Sequence, residues 1–506
     1  MASLHQTAAD ASSAVAQPAE RPPIRLLFTA LLLVMLLGAL DQTIVSTALP
    51  TIVGELGGLE NLSWVVTSYL LTSTIVVPLY GKFGDLFGRK VVLQASILIF
   101  LAGSILCGVA QDMTQLIVLR ALQGLGGGGL MVITMAAIAD VIPPAERGRY
   151  QGLFGGVFGL ATVVGPLVGG FLVEHLSWRW IFYINVPLGV IALVVIGLVF
   201  KPHTAHVRHK VDYMGAAFLA SALTCIILFT SQGGTLLPWS SPQLWCTLLL
   251  GLISIGGFVY EERLAAEPIM PLSLFTDRTF VLSGLIGFIV GFSLFGSVTF
   301  LPLYLQVVKG STPSQAGLQV TPMMAGVLFS SIVSGRLISR IGKYRPFPIA
   351  GTALVACAML LLSTLQIATP VHVMYGYMAL LGLGLGMVMQ VLVLAVQNAV
   401  EFRLIGVATS GATLFRSIGG SVGVAAFGAI FSNGLRSRLE AAIPAGVELP
   451  RSLGPQAIQH LPAALHDDYL NAFAASMHTV YLVAAGVVLI AFVLAWFLKD
   501  QPLRKR

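Results

Sequence analysis

Charge is scarce in this sequence. Asp, Glu, Lys and Arg together make up 10% of its 506 residues, where a soluble chain carries roughly a quarter. The apolar share is 56% and the mean hydropathy +0.89. No soluble fold hides that much apolar surface, because surface falls too slowly with size. The deficit excludes a soluble enzyme, a nucleic-acid-binding protein and a disordered chain, and leaves a polytopic membrane protein. Cysteine is nearly absent as well. Cys107, Cys225, Cys246 and Cys357 fall within or beside apolar runs, which excludes a secreted disulfide scaffold and reads them as small apolar side chains. No Walker-type phosphate loop occurs, so ATP is not expected to drive this chain. His203, His206 and His209 lie in a basic loop and read as solvated, not as metal ligands. His175, His372 and His478 sit near helix ends without the partners that an intramembrane enzyme needs.

What is present is apolar length. A helix crosses the hydrocarbon core with about 20 apolar residues. Such runs occupy roughly 26–49, 64–81, 91–110, 115–141, 150–174 and 180–200. Two more lie at roughly 213–232 and 244–260. A further six follow at roughly 280–305, 314–338, 347–367, 371–396, 406–431 and 477–498. The expectation is an all-α membrane protein of fourteen transmembrane helices. Residues 1–24 read as a disordered cytoplasmic tail, 432–476 as an outer loop, and 499–506 as a basic cytoplasmic tail.

The basic residues set orientation. With the amino terminus inside, 21 of the 28 Lys and Arg fall in inner tails and loops. Five face outward, Arg179, Lys309, Arg436, Arg438 and Arg451, while Arg120 and Arg416 lie within spans. That asymmetry predicts both termini in the cytoplasm, and it accounts for the net charge of +7 without any nucleic acid.

The chain also echoes itself. GKFGDLFGRK at 81–90 follows the second helix, and GRLISRIGKYR at 335–345 follows the tenth. Aligning Gly81 with Gly335 sets Gly88 on Gly342, Arg89 on Lys343 and Asp85 on Ser339. Residues 25–200 and 263–498 therefore read as two six-helix bundles, with 201–262 as a linker carrying two inserted helices. Paired repeats around a midplane site are the architecture of secondary transporters.

Asp41 is the sharpest candidate in the spans. It lies about fifteen residues into the first apolar run, the only one of 21 acids deep within a span. Such a group is expensive in lipid and functional by default. Desolvation favours the neutral form of a carboxyl and a nearby cation favours the charged form, so it can take and release a proton. Arg120 lies on the fourth helix, followed by Gln123 and four glycines that allow close helix approach. Asp85, with Arg89 and Lys90 one turn on, reads by itself as a solvated charged turn that supplies positive-inside topology. Gly165, Pro166, Gly169 and Gly170 bend the fifth helix and flatten its face.

Four segments and one flanking run resemble a known family over nearly the whole length. LDQTIVSTALP at 40–50, GKFGDLFGRK at 81–90, RALQGLGGGG at 120–129 and GPLVGG at 165–170 are similar to motifs of the major facilitator superfamily. WRWIFYINVPLG at 178–189 resembles its fourteen-helix branch, the drug:proton antiporters of the EmrB/QacA type. The resemblance implies the superfamily fold and proton-driven export of small amphipathic or hydrophobic compounds across a bacterial-type cytoplasmic membrane. It implies that Asp41 and Arg120 couple protons to substrate, Arg120 through its charge. It makes Gly81, Asp85, Gly88 and Arg89 a gate on the cytoplasmic side, and Gly165, Pro166, Gly169 and Gly170 a seal on the other. Because Ser339 replaces the acid in the second copy, the gate is expected to be one-sided.

Cavity lining is expected from Tyr69, Gln123, Phe292 and Phe295. Tyr304, Met323, Gln390, Gln397 and Asn398 are further expectations. Arg416, in FRSIGG, is a second deep cation that either snorkels, finds carbonyls or faces the cavity. The expected partners are a small-molecule substrate, protons and the lipid bilayer; no cofactor beyond the proton gradient and no nucleic acid is expected. A periplasmic adaptor is compatible with the resemblance, and no segment indicates one. An exporter of one specific metabolite, antibiotic or lipid, an importer and a channel are the rival readings of the same architecture.

Overall fold

The computed structural model describes residues 24–57, 62–200, 211–234, 237–442 and 463–502. These form an all-α membrane protein in which fourteen helices are long and apolar enough to cross a bilayer. The first half comprises α1 Ile24–Leu56, α2 Leu62–Phe87, α3 Arg89–Gly108, α4 Met113–Val141 and α5 Pro144–His175. A single turn at Trp180–Tyr183 then leads into α6 Asn185–Val199. Two helices follow, α7 Tyr213–Gln232 and α8 Pro242–Leu264. The second half comprises α9 Arg278–Val307, α10 Thr321–Ile341 and α11 Pro346–Ser363. It closes with α12 Val371–Ala399, α13 Ile405–Ala442 and α14 Ala463–Trp496.

Helix is the only spanning form here that satisfies every backbone group without water. Polar residues mark the starts. Asp112, Asp212 and Asp277 each accept a backbone N–H three residues on, at 2.8, 2.7 and 2.9 Å. The side chains left exposed are apolar, as on α8, where Leu249, Leu250, Leu252 and Ile253 point outward. A lipid-facing surface has that character.

Within the first half, α4 packs against both α2 and α3, and α1 against α5 and α6. The glycine run of α4 makes this possible. A Cβ at Gly124 or Gly128 would strike the backbone of α2, and one at Gly126 the backbone of α3. In the second half α10, α11 and α14 stack in series with α12, and α9 lies along α13. The halves meet along α5–α10 and α2–α13. Those two contacts exchange when α1–α6 are laid on α9–α14, as a two-fold relation of the repeats requires. Helices α7 and α8 pack on each other, and α7 rests on α2 and α13.

The stretch 432–476 expected as an outer loop is helical at both ends. Helix α13 continues to Ala442, with Arg436 donating to Glu440 at 2.8 Å one turn on, and α14 begins at Ala463. Apolar length reports where lipid ends, whereas i,i+4 charge pairs let a helix run on into water. Residues 443–462, the tails 1–23 and 503–506, and the loop 201–210 with its three histidines lie outside the described residues.

Candidate functional site

Asp41 is fully enclosed, at 0% exposure. Arg120 Nη1 donates to Asp41 Oδ2 at 2.8 Å, and also to Gln123 Oε1 at 2.7 Å. Gln123 Nε2 donates to Asp41 Oδ1 at 2.8 Å, and Asn185 Nδ2 donates to the same oxygen at 3.1 Å. Both amides also donate to Ser104 Oγ, at 3.1 and 2.9 Å, and that hydroxyl donates to the Phe182 carbonyl at 2.9 Å. Arg120 Nε reaches the Val65 carbonyl at 3.2 Å, and its Cζ lies 4.3 Å from the Tyr69 ring centroid. One charge pair is thus held by groups from five helices, α1, α2, α3, α4 and α6. Tyr69 and Gln123, expected to line a cavity, are part of this cluster. A carboxylate with three donors and an arginine with a carboxylate, an amide, a carbonyl and a ring are well satisfied for a dry interior.

Asn185 and Ser104 were not anticipated. Asn185 stands in the run WRWIFYINVPLG, whose other polar residues also find work. Trp178 Nε1 donates to Glu55 Oε2 at 2.7 Å, and Arg179 Nη1 donates to Glu55 Oε1 at 2.5 Å. Those bonds, from Arg179 first and Trp178 second, hold the Glu55 carboxyl below its ordinary range. The run therefore pins the end of α1 while presenting Asn185 to Asp41.

A second cluster joins the halves. Asp85 Oδ1 accepts from the Gly406 N–H and Oδ2 from the Val407 N–H, both at 3.0 Å, in the first turn of α13. A helix amino terminus offers free N–H groups and a positive dipole to such an anion. Arg89 Nη2 donates to Asp85 at 3.0 Å, and Arg89 Nη1 donates to Asp140 Oδ1 and the Ala136 carbonyl on α4. Gly81 brings α2 so close that a Cβ there would strike Ser410 and the Gly406 carbonyl of α13. Gly88 starts α3 at φ +86°, a left-handed conformation that side chains resist. At the equivalent place of the repeat, Ser339 Oγ accepts from the Arg149 N–H of α5 at 3.3 Å. One neutral bond stands where the other side has a carboxylate with two.

Comparison with known proteins gives the same architecture. The family model for the Major Facilitator Superfamily matches residues 31–424. The chain belongs to the major facilitator superfamily. It is similar to an uncharacterized MFS-type transporter of Mycobacterium tuberculosis, with 44% identity over 95% of this chain and 70% of that one. It is 38% identical to the multidrug transporter protein MdtP of Bacillus subtilis, over 95% of this chain and 94% of that one. The solved proton:xylose symporter XylE superposes with a TM-score of 0.63 at 14% identity, over 95% of this chain and 97% of that one, a likeness of fold. The chain is a transporter of this superfamily and not an enzyme.

Within this superfamily fold the remaining candidates separate. Gln397 bridges the halves: its Oε1 accepts from Gln151 Nε2 at 2.7 Å, and its Nε2 donates to Thr409 Oγ1 at 2.9 Å. Gln390 is buried and, among the described residues, its Oε1 has no partner. Four expected lining residues instead hold the second half together. Phe292 packs on Phe427 at 5.2 Å, Met323 is enclosed among apolar side chains, and Tyr304 donates to the Gln366 carbonyl at 2.9 Å. Asn398 reaches the Pro502 carbonyl at 3.4 Å, at the end of α12. Aromatic and sulfur side chains fill cores as readily as cavities, which periodicity alone does not separate. Phe295 is part-exposed and lies over Gly420.

Gly165 meets Thr43 of α1, within its own half, and Thr43 Oγ1 donates to the Ala161 carbonyl at 3.0 Å. Pro166 lies inside α5, Gly169 is buried, and a Cβ at Gly170 would touch nothing within 4 Å. Helix α5 meets the other half nearer its start, where Gly148 lies against Gly335 and Gly152 against Ser331.

Proposed function

We propose that this superfamily member exports small amphipathic or hydrophobic compounds by proton-driven alternating access, with Asp41 carrying the proton. The enclosed Asp41–Arg120 pair carries the reading. Protonating Asp41 removes the charge that Arg120, Gln123 and Asn185 converge on. The arginine then stands uncompensated in a dry site, and the packing of five helices has reason to change. Asp85 ties the α2–α13 end shut in this arrangement, so substrate leaves from the opposite end and the tie must break before another enters. The names of relatives such as the multidrug transporter at 38% identity point to the same class of cargo. With 21 of 28 basic residues in the tails and loops of one side, both termini are assigned to the cytoplasm of a bacterial-type cell membrane.

The gradient suffices. A proton gains about 2.3 kcal/mol through 100 mV and about 1.4 more per pH unit. Together these sustain a substrate ratio of several hundredfold at about 1.4 kcal/mol per decade. Proteoliposomes holding the full chain, with ethidium as the probe and an imposed pH gradient, test the proposal. Wild type accumulates ethidium against its gradient with about one proton per cycle, and Asp41→Asn does not. Full pH-driven antiport by Asp41→Asn overturns the assignment, and a stoichiometry of two or more requires another acid.

A further inference from the structure

Arg416 is the cation that the site above leaves over. It lies eleven residues from the start of α13, about 16 Å along the axis, or half of a roughly 30 Å core. It is part-exposed, yet its Cγ lies against Gly291 of α9, inside the bundle. Among the described residues it has neither an ion pair nor a hydrogen bond. The helices beside it offer no counter-ion. Neither α9 nor α12 contains an Asp or Glu, Asp467 and Asp468 of α14 stand in its first two turns beside the far end of α13, and Asp140 of α4 is paired with Arg89. On α2 the one acid, Asp85, is committed to Arg89 and to α13, and on α13 Glu440 pairs with Arg436.

Its level in the bundle follows from a known contact. Gln397 of α12 bonds Thr409 of α13 at 2.9 Å. These helices are antiparallel neighbours, so seven residues back along α12 and seven forward along α13 give the same rise, about 10.5 Å, with about 20° of drift. Those positions are Gln390 and Arg416. Gln390 is 5% exposed, its amide has no hydrogen bond among the described residues, so that its Nε2 is left to donate, and its Cγ faces Gly155 of α5 across the junction of the halves. Two polar side chains without partners among the described residues therefore share one depth. Four residues on from Arg416, Gly420 carries the part-exposed ring of Phe295. At one depth, then, stand a guanidinium without a counter-charge and a donor amide, with an aromatic ring one turn on, the groups that one acidic head on an apolar body requires.

The geometry points to an amphipathic organic anion as a ligand of this transporter, its carboxylate accepting from the Arg416 guanidinium and from Gln390 Nε2, which together form its cradle. This rests on the transport reading for its path but is tested without transport. The probes are 1-pyrenebutyrate and its neutral amide, titrated by fluorescence against the full chain in phosphatidylcholine nanodiscs. Wild type binds the carboxylate about tenfold tighter than the amide, as a charge-assisted fork should. Arg416→Gln brings that ratio to about one and leaves the amide's affinity alone. Gln390→Glu, which supplies an internal counter-ion, also abolishes carboxylate binding and keeps the question answerable if Arg416→Gln does not fold. Equal affinities in wild type, no binding of either probe, or a preference that survives in a folded variant each overturn the cradle. Repeating the titration with phosphatidylglycerol in the disc separates the sources: loss of pyrenebutyrate binding assigns the cradle to a lipid anion, and unchanged binding to a dissolved one. Proton-driven ethidium efflux without anion preference sinks the cradle alone; anion preference without such efflux sinks the transport reading alone.

Discussion

Removing a carboxylate and a guanidinium from water costs several kcal/mol each, recovered only where geometry and further hydrogen bonds are good. At Asp41 and Arg120 the surrounding donors and acceptors come from Gln123, Asn185 and Val65. Deleting one partner strands the other. Arg120→Met is therefore expected to destabilise the chain by about 3–5 kcal/mol, while the double change Asp41→Asn with Arg120→Met recovers most of that loss; thermal unfolding of the purified variants measures both. Glu55 gives a pH prediction of definite sign. Its folded carboxyl titrates below the ordinary value of 4.5, so its pairing stabilises the protein above that pH. The contribution fades as pH falls through the lower, folded value. The acid-side decline in unfolding temperature should be shallower in Glu55→Gln, and an unchanged profile refutes the pairing. The sequence made Asp41 and Arg120 legible, because a charge amid apolar residues has few uses. It did not make Asn185 or Ser104 legible, since small polar residues in spans usually satisfy their own helix. Arg416 showed its depth and not its lack of a partner, which depends on helices far away in sequence.

At the scale of elements, the glycines of α4 and α2 set distances that no other residue allows. Gly81 faces Ser410 and the Gly406 carbonyl at a separation with no room for a methyl group. Gly81→Ala should push α2 and α13 apart at an overpacking cost of about 1–3 kcal/mol. A cysteine placed at Ser410 should then react several times faster with a membrane-impermeant maleimide than it does beside Gly81. Equal rates would mean that the contact yields elsewhere. The extents of α13 and α14 were misjudged from apolar runs because a bilayer fixes the length that must be apolar, not where hydrogen bonding stops. The starts of α4, α7 and α9 lie within two residues of the apolar runs, while the aspartate that caps each was not read from the sequence.

At the scale of the molecule, the repeat relates α2–α13 to α5–α10 but not their chemistry. One junction is closed by a carboxylate on a helix start, the other by Ser339 and by glycines such as Gly148 and Gly335 in close contact. A hydrogen bond to a charged group contributes about 1.5–3 kcal/mol. Asp85→Asn should thus move the balance between closed and open forms about tenfold or more toward open. Spin labels at Phe87 and Arg403 would report it as a longer distance population, and Ser339→Ala should shift the equivalent distance across α5–α10 much less. Equal shifts would remove the asymmetry. The two-bundle plan could be read from the echo of GKFGDLFGRK together with the count of apolar runs, whereas the unequal strength of its joints needed both partners in place.

The enclosure of Asp41 has a consequence for the organism. At 0% exposure and with protein donors on both oxygens, the carboxylate is sealed in this arrangement, so under the proposed coupling an idle copy behaves as an insulator. On that proposal many copies can stand in one membrane without draining its battery, current flowing only when cargo and conformation turn together.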